Sequence, residues 1–186
     1  INLGNTCYMN SVLQSLFACT DFNDELVNYK LQQKTLINSY KTIIRIMIKR
    51  SKENSKVKTL KIVQFINTFR NKFRHVSFHQ QDAHEAMGYL LSKFHTCLEE
   101  EFTNKIFKTV MEGMRYNKKI KNECAREILK MYKNDYSIIN KYFYGQTCNT
   151  IKCSSCNHEV TRVEIFKGFE LSIKNTDNLQ EALKEH

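Results

Sequence analysis

The sequence predicts an α+β fold, helical over its first three quarters and β over its last quarter. Three observations predict it. Apolar residues recur at helical spacing from Met9 to Tyr132. From about Phe143 the period shortens to two, around Cys153-Ser154-Ser155-Cys156. Proline is absent and glycine occurs five times in 186 residues, which favours helix over a sandwich of short, tightly turned strands. Helices come first and strands afterwards, which is not the order of alternating βαβ units.

The first helix is expected over residues 7–18, where Met9, Val12, Leu13, Leu16 and Phe17 share a face. Residues 35–49 repeat the pattern with Leu36, Ile37, Tyr40, Ile43, Ile44, Met47 and Ile48. Residues 49–58 read as a charged connector. Thr59 is placed to cap a helix carrying Ile62, Phe65, Ile66, Phe69 and Phe73. Ser77 and Gln80 have capping-box spacing. The helix after them should bury Ala83, Ala86, Met87, Leu90, Leu91, Phe94 and Leu98. A further helix over 120–133 sets Ile120, Cys124, Ile128, Leu129 and Tyr132 on one side. Cys97 and Cys124 lie on apolar faces and are expected to be buried thiols. Short strands are expected where Thr147, Asn149 and Ile151 alternate, and where Phe169, Leu171 and Ile173 do.

The length suits one domain or part of one. A hydrophobic content of 41% excludes a disordered chain. No apolar run approaches the roughly 18 residues that span a bilayer, so no membrane association is expected. Seven cysteines, an odd number without disulfide-type spacing, suit a reducing intracellular compartment, cytoplasm or nucleus. The net charge of +10 is local: residues 41–75 hold eleven Lys/Arg against Glu53 alone. Such a block suits an acidic partner or nucleic acid. It equally suits a solvated helical face, and no stacking motif accompanies it.

Cys7 opens the first helix. A thiol there lies near unsatisfied backbone N–H groups and the positive dipole end, which favour thiolate over thiol. The same N–H groups, with a side-chain amide, could hold a developing oxyanion. Gly4 would let the backbone turn tightly before the helix. A small buried residue at a helix start explains the same position without chemistry.

The run from Asn2 to Leu16, Asn-Leu-Gly-Asn-Thr-Cys-Tyr-Met-Asn-Ser-Val-Leu-Gln-Ser-Leu, resembles the cysteine box of the ubiquitin-specific protease family. These are papain-like cysteine proteases that cleave after the C-terminal glycine of ubiquitin. The resemblance implies Cys7 as nucleophile and Asn2 as the oxyanion-stabilising amide, in preference to Asn5. His79-Gln80-Gln81-Asp82-Ala83-His84-Glu85 resembles the family's Gln-Gln-Asp-Ala-His-Glu motif, which lines the channel for ubiquitin's tail. Asp82 and Glu85 would then be acceptors for a cationic, extended tail, and both also suit the first turns of a helix. Ala86 departs from the bulky apolar residue usual after this Glu. His84 reads as structural.

One Cys-x-x-Cys is half of a tetrahedral zinc site; the linear completion would use Cys148 and His158, but two residues from Cys156 to His158 is tight for a closed site. The surrounding Phe143-Tyr144-Gly145, Ile151-x-Cys153-x-x-Cys156 and Glu164-x-Phe166-x-x-Phe169-x-Leu171-x-Ile173 resemble the start of the family's fingers. That implies a structural zinc ribbon, with Cys153 and Cys156 as one half and a second Cys-x-x-Cys outside this chain as the other. Asn178-Leu179-Gln180-Glu181-Ala182-Leu183 looks like the short helix preceding that second pair.

A thiol protease needs a histidine base. None of His75, His79, His84, His95, His158 and His186 stands in the family's Gly-His-Tyr context. The resemblance therefore implies an incomplete domain: a helical thumb over 1–140 and the first part of the fingers over 141–186. It would be the N-terminal fragment of a deubiquitinase, inactive by itself, with ubiquitin and ubiquitinated proteins as partners. A catalytically inactive ubiquitin-binding relative is the alternative. A basic zinc-ribbon nucleic-acid binder ranks third, since it leaves the cysteine box unexplained.

Overall fold

In a computed structural model, residues 4–30, 36–53, 60–72, 81–112, 118–172, 174 and 178–185 are described. The chain divides into two compact units, residues 1–99 and 100–186.

The first unit holds α1 (Cys7–Ala18), α2 (Thr20–Asn28), α3 (Leu36–Glu53), α4 (Leu60–Lys72) and α5 (Ala83–Cys97). Its core comes from the expected faces. Met9, Leu16, Leu36, Ile37, Tyr40, Ile44, Phe65, Phe69, Leu90 and Phe94 are fully buried. The Tyr40 ring lies 5.1 Å from Phe94 and 6.3 Å from Phe65, so α3 carries the aromatic contact to both α4 and α5. Phe69 meets Tyr89 edge-on at 5.7 Å, which ties α4 to α5 a second time.

No helix was expected over α2. Asp21, Asn23, Asp24 and Asn28 are weak helix formers, so propensity hides it. Tertiary bonds hold it instead. Buried Asn23 donates through Nδ2 to the carbonyls of Leu16 (2.8 Å) and Phe17 (3.1 Å), satisfying the C-terminal end of α1. Its Oδ1 accepts from the Tyr40 hydroxyl at 2.9 Å. Burial pushes the Tyr40 phenol far up, so it stays a donor. α3 also corrects an expectation: residues 49–53 continue the helix rather than forming a connector, because Lys, Arg and Glu are good helix formers.

The second unit holds α6 (Asn104–Glu112), α7 (Lys118–Tyr132), α8 (Ile138–Phe143), β1 (Gly145–Lys152), β2 (Glu159–Phe166) and α9 (Leu179–Glu185). Ile128, Tyr132 and Tyr136 form its core, with Phe102, Ile106, Phe107, Val110, Met111, Tyr144 and Ile165 packed around them. Phe102 lies 5.0 Å from Tyr136 and 5.7 Å from Tyr132. α8 starts at a reciprocal cap. The Ser137 hydroxyl accepts from Ile139 N at 3.1 Å, and the Asn140 side chain accepts from Ser137 N at 2.7 Å.

β1 and β2 pair antiparallel, from Gly145 opposite Phe166 to Lys152 opposite Glu159. Gly145 is required there: an added Cβ would lie 2.5 Å from the Phe166 ring. The strand expected at Phe169 and Leu171 is absent among the described residues, while Ile173 lies outside them. Phe169 stacks on Phe166 at 4.0 Å instead; with no further partner strand among the described residues, no ladder forms. Two burial expectations also need correction. Leu129 is 46% exposed, one position beyond the buried Ile128. Cys97, expected to be buried, is exposed as the last residue of α5. Cys124 is buried as expected. No described helix is long and apolar enough to cross a membrane.

Candidate active site

Local backbone geometry places Cys7. Gly4 and Asn5 are both left-handed, with φ of 85° and 47°. Glycine takes that region without cost, and asparagine is the side-chain residue that tolerates it best. The chain turns there and enters α1 through Thr6, which is fully buried and makes no side-chain cap. Tyr8, Met9, Val12, Leu13 and Leu16 then bury one face. Cys7, Ser11, Gln14, Ser15 and Ala18 form the opposite, exposed stripe. Cys7 is therefore an accessible thiol at the first helical position, not a small buried residue at a helix start.

Arg70 of α4 reaches this turn, donating through Nη2 to the Gly4 carbonyl at 3.3 Å. The sequence offered no signal for it beyond membership of the basic block. Asn2 lies outside the described residues, as do Ser77, His79 and Gln80.

Asp82 and Glu85 open α5, and α5 packs against α1. Asp82 is itself the N-cap: its Oδ1 accepts from His84 N (2.6 Å) and Glu85 N (3.2 Å). The cap is local, whereas the expected capping box at Ser77 and Gln80 lies outside the described residues. Glu85 occupies the third helical position and is exposed, as is His84. The carboxylates thus sit at the positive end of α5.

Cys153 and Cys156 belong to the second unit, in the turn between β1 and β2, and both are exposed. The turn is closed by Cys153 N on His158 O (2.8 Å) and Asn157 N on Cys153 O (3.0 Å). Asn157 is left-handed, φ 56°. Backbone N–H groups of Cys156 and Ser155 approach the Cys153 sulfur and hold its thiol below the ordinary range. This donor set fits half of a thiolate metal site. Among the described residues no third His, Cys, Asp or Glu closes on the pair.

The basic block is partly spent on backbone carbonyls of the fold. Lys41 is 4% exposed and donates to the Tyr29 carbonyl. Arg45 donates to the Val27 carbonyl at 2.9 Å. Both satisfy carbonyls at the C-terminal end of α2, where cations are stabilising. Desolvation, then the neighbouring Arg45, lowers the Lys41 ammonium below its usual value.

The sequence matches the family described as "Ubiquitin carboxyl-terminal hydrolase" over residues 1–181. It is 27% identical to "Ubiquitin carboxyl-terminal hydrolase 4" of Arabidopsis thaliana, over 98% of this chain and 51% of that protein. It is 24% identical to "Ubiquitin carboxyl-terminal hydrolase 12" of Salmo salar, over 99% of this chain and 48% of that protein. The chain spans about half the length of the curated relatives it matches. With that match running from the turn before Cys7 to the start of α9, the chain belongs to the ubiquitin carboxyl-terminal hydrolase family.

Proposed function

We propose that this chain is the N-terminal part of the catalytic domain of a thiol-dependent deubiquitinase. The observation that carries the proposal is an exposed Cys7 at the first residue of α1, entered through a left-handed Gly4-Asn5 turn, in a chain of this family. Cys7 Sγ attacks the carbonyl carbon after ubiquitin's last glycine. Asn2 and the amides near Cys7 stabilise the oxyanion. A histidine outside these 186 residues takes the thiol proton and returns it to the leaving lysine amine as the C–N bond breaks. Water then hydrolyses the thioester and releases ubiquitin's carboxylate. Asp82 and Glu85 receive the cationic tail. Ubiquitin and ubiquitinated proteins are the partners, in an intracellular compartment.

Cys153 and Cys156 supply two sulfur ligands of a structural zinc, and a second pair outside this chain completes it. When bound, the metal would tie the hairpin turn to the rest of the fingers. It takes no part in bond cleavage.

A ubiquitin bearing a C-terminal electrophile tests the assignment. In the complete protein, Cys7→Ser should abolish covalent labelling and reduce turnover of a fluorogenic ubiquitin substrate by at least about 10³-fold. Labelling of Cys7→Ser at the wild-type rate would assign the nucleophile elsewhere.

A further inference from the structure

We infer that Arg70 is a positioning residue for the reaction at Cys7, acting through the Gly4–Asn5 peptide. This rests on Cys7 being the nucleophile. Two successive left-handed residues make the Gly4-Asn5 turn an uncommon backbone. The peptide between them is the element that would reorient if the turn relaxed, because opposite rotations about Gly4 ψ and Asn5 φ turn that rigid plane while leaving the flanking chain in place. Arg70 holds that plane by its carbonyl, at 3.3 Å, across 66 positions of sequence.

The helix that carries Arg70 is well anchored. Arg70 follows Phe69, which is fully buried and edge-on to Tyr89 of α5. Phe65, one turn earlier, is buried against Tyr40 of α3. α4 therefore cannot slide without breaking the aromatic core, so the backbone of Arg70 is held within reach of Gly4. In a trans peptide the N–H points opposite to the C=O. Fixing the Gly4 carbonyl on Arg70 thus fixes the direction of the Asn5 N–H. A charged donor on the carbonyl also polarises the amide, strengthening that N–H as a donor. Asn5 stands two residues before Cys7, so its amide belongs to the turn that leads into the helix start where the proposed oxyanion develops. The transition state needs that amide aimed where charge develops; ground-state binding of ubiquitin does not.

The predicted signature is a kcat effect. In the complete protein, Arg70→Ala should lower kcat about 10-fold or more, while KM for a fluorogenic ubiquitin substrate stays within about 2-fold. Methylguanidinium in the assay should restore part of the lost kcat in Arg70→Ala and none in Cys7→Ser. If Arg70→Ala melts more than about 10 °C below wild type, Arg70→Gln takes its place, since it keeps a donor while removing the charge. The same kcat loss without a KM change is expected of it. Unchanged kcat, or a loss confined to KM, in the variant that folds would overturn the inference. Cys7→Ser in parallel separates the two claims: an inactive Cys7→Ser with wild-type kcat in the Arg70 variant sinks only the role of Arg70. A fully active Cys7→Ser sinks both.

Discussion

Asn23 shows how much one polar side chain can hold. Its amide serves two carbonyls at the end of α1, and its oxygen serves the Tyr40 hydroxyl. The bonds to Leu16 and Tyr40 are buried and the one to Phe17 is partly so, so removing the side chain leaves buried groups without a partner. Asn23→Ala should therefore destabilise the protein by about 3 kcal/mol, read as a lower urea midpoint with an unchanged slope. A change below about 0.5 kcal/mol would mean that neighbouring groups or water replace these bonds. Gly145 is constrained for a different reason. Its limit is steric, because the Phe166 ring occupies the place of a Cβ.

At the scale of elements, the start of α5 carries two demands on one carboxylate. Asp82 caps the helix through Oδ1 and, in the proposed function, also meets ubiquitin's cationic tail. Substitution separates the demands. Asp82→Ala should cost about 1 kcal/mol of stability through the lost cap. Asp82→Ser keeps a capping oxygen without the charge, so stability should return while KM for ubiquitin substrates rises about 10-fold. Wild-type KM in Asp82→Ser would reduce Asp82 to a cap. α2 and α3 share a comparable economy: Lys41 and Arg45, counted as surface charge in the sequence, bond the last carbonyls of α2. That use weakens the case for the block as a nucleic-acid surface, which needs its cations pointing outward.

For the whole molecule, the chain matches its family over nearly its full length yet spans about half of its relatives. The proposed mechanism needs a base that none of its six histidines supplies in the family's sequence context. The 186-residue chain by itself should accordingly show no turnover of a fluorogenic ubiquitin substrate above the uncatalysed background. Turnover that Cys7→Ser removes would place the base within these residues.

Much of this protein was written locally. The apolar faces of α1, α3, α4, α5 and α7, the alternation in β1 and the cysteine box are patterns among neighbours a few residues apart. Helical spacing therefore located most of the core, while strand alternation found β1 and missed β2 (Glu159–Phe166). Leu129 slipped because periodicity fixes a face only to within about one residue step. Cys97 slipped because the end of a helix need not be covered. The cysteine box identified Cys7, and the left-handed Gly4-Asn5 turn agrees with its residue types. What the tertiary structure decided was which distant group each polar atom meets. Asn23 finds Tyr40, Lys41 finds Tyr29, and Arg70 finds Gly4 across 66 positions. A residue's type states what it can donate or accept, but its partner depends on how helices pack, and packing is a property of the folded chain alone.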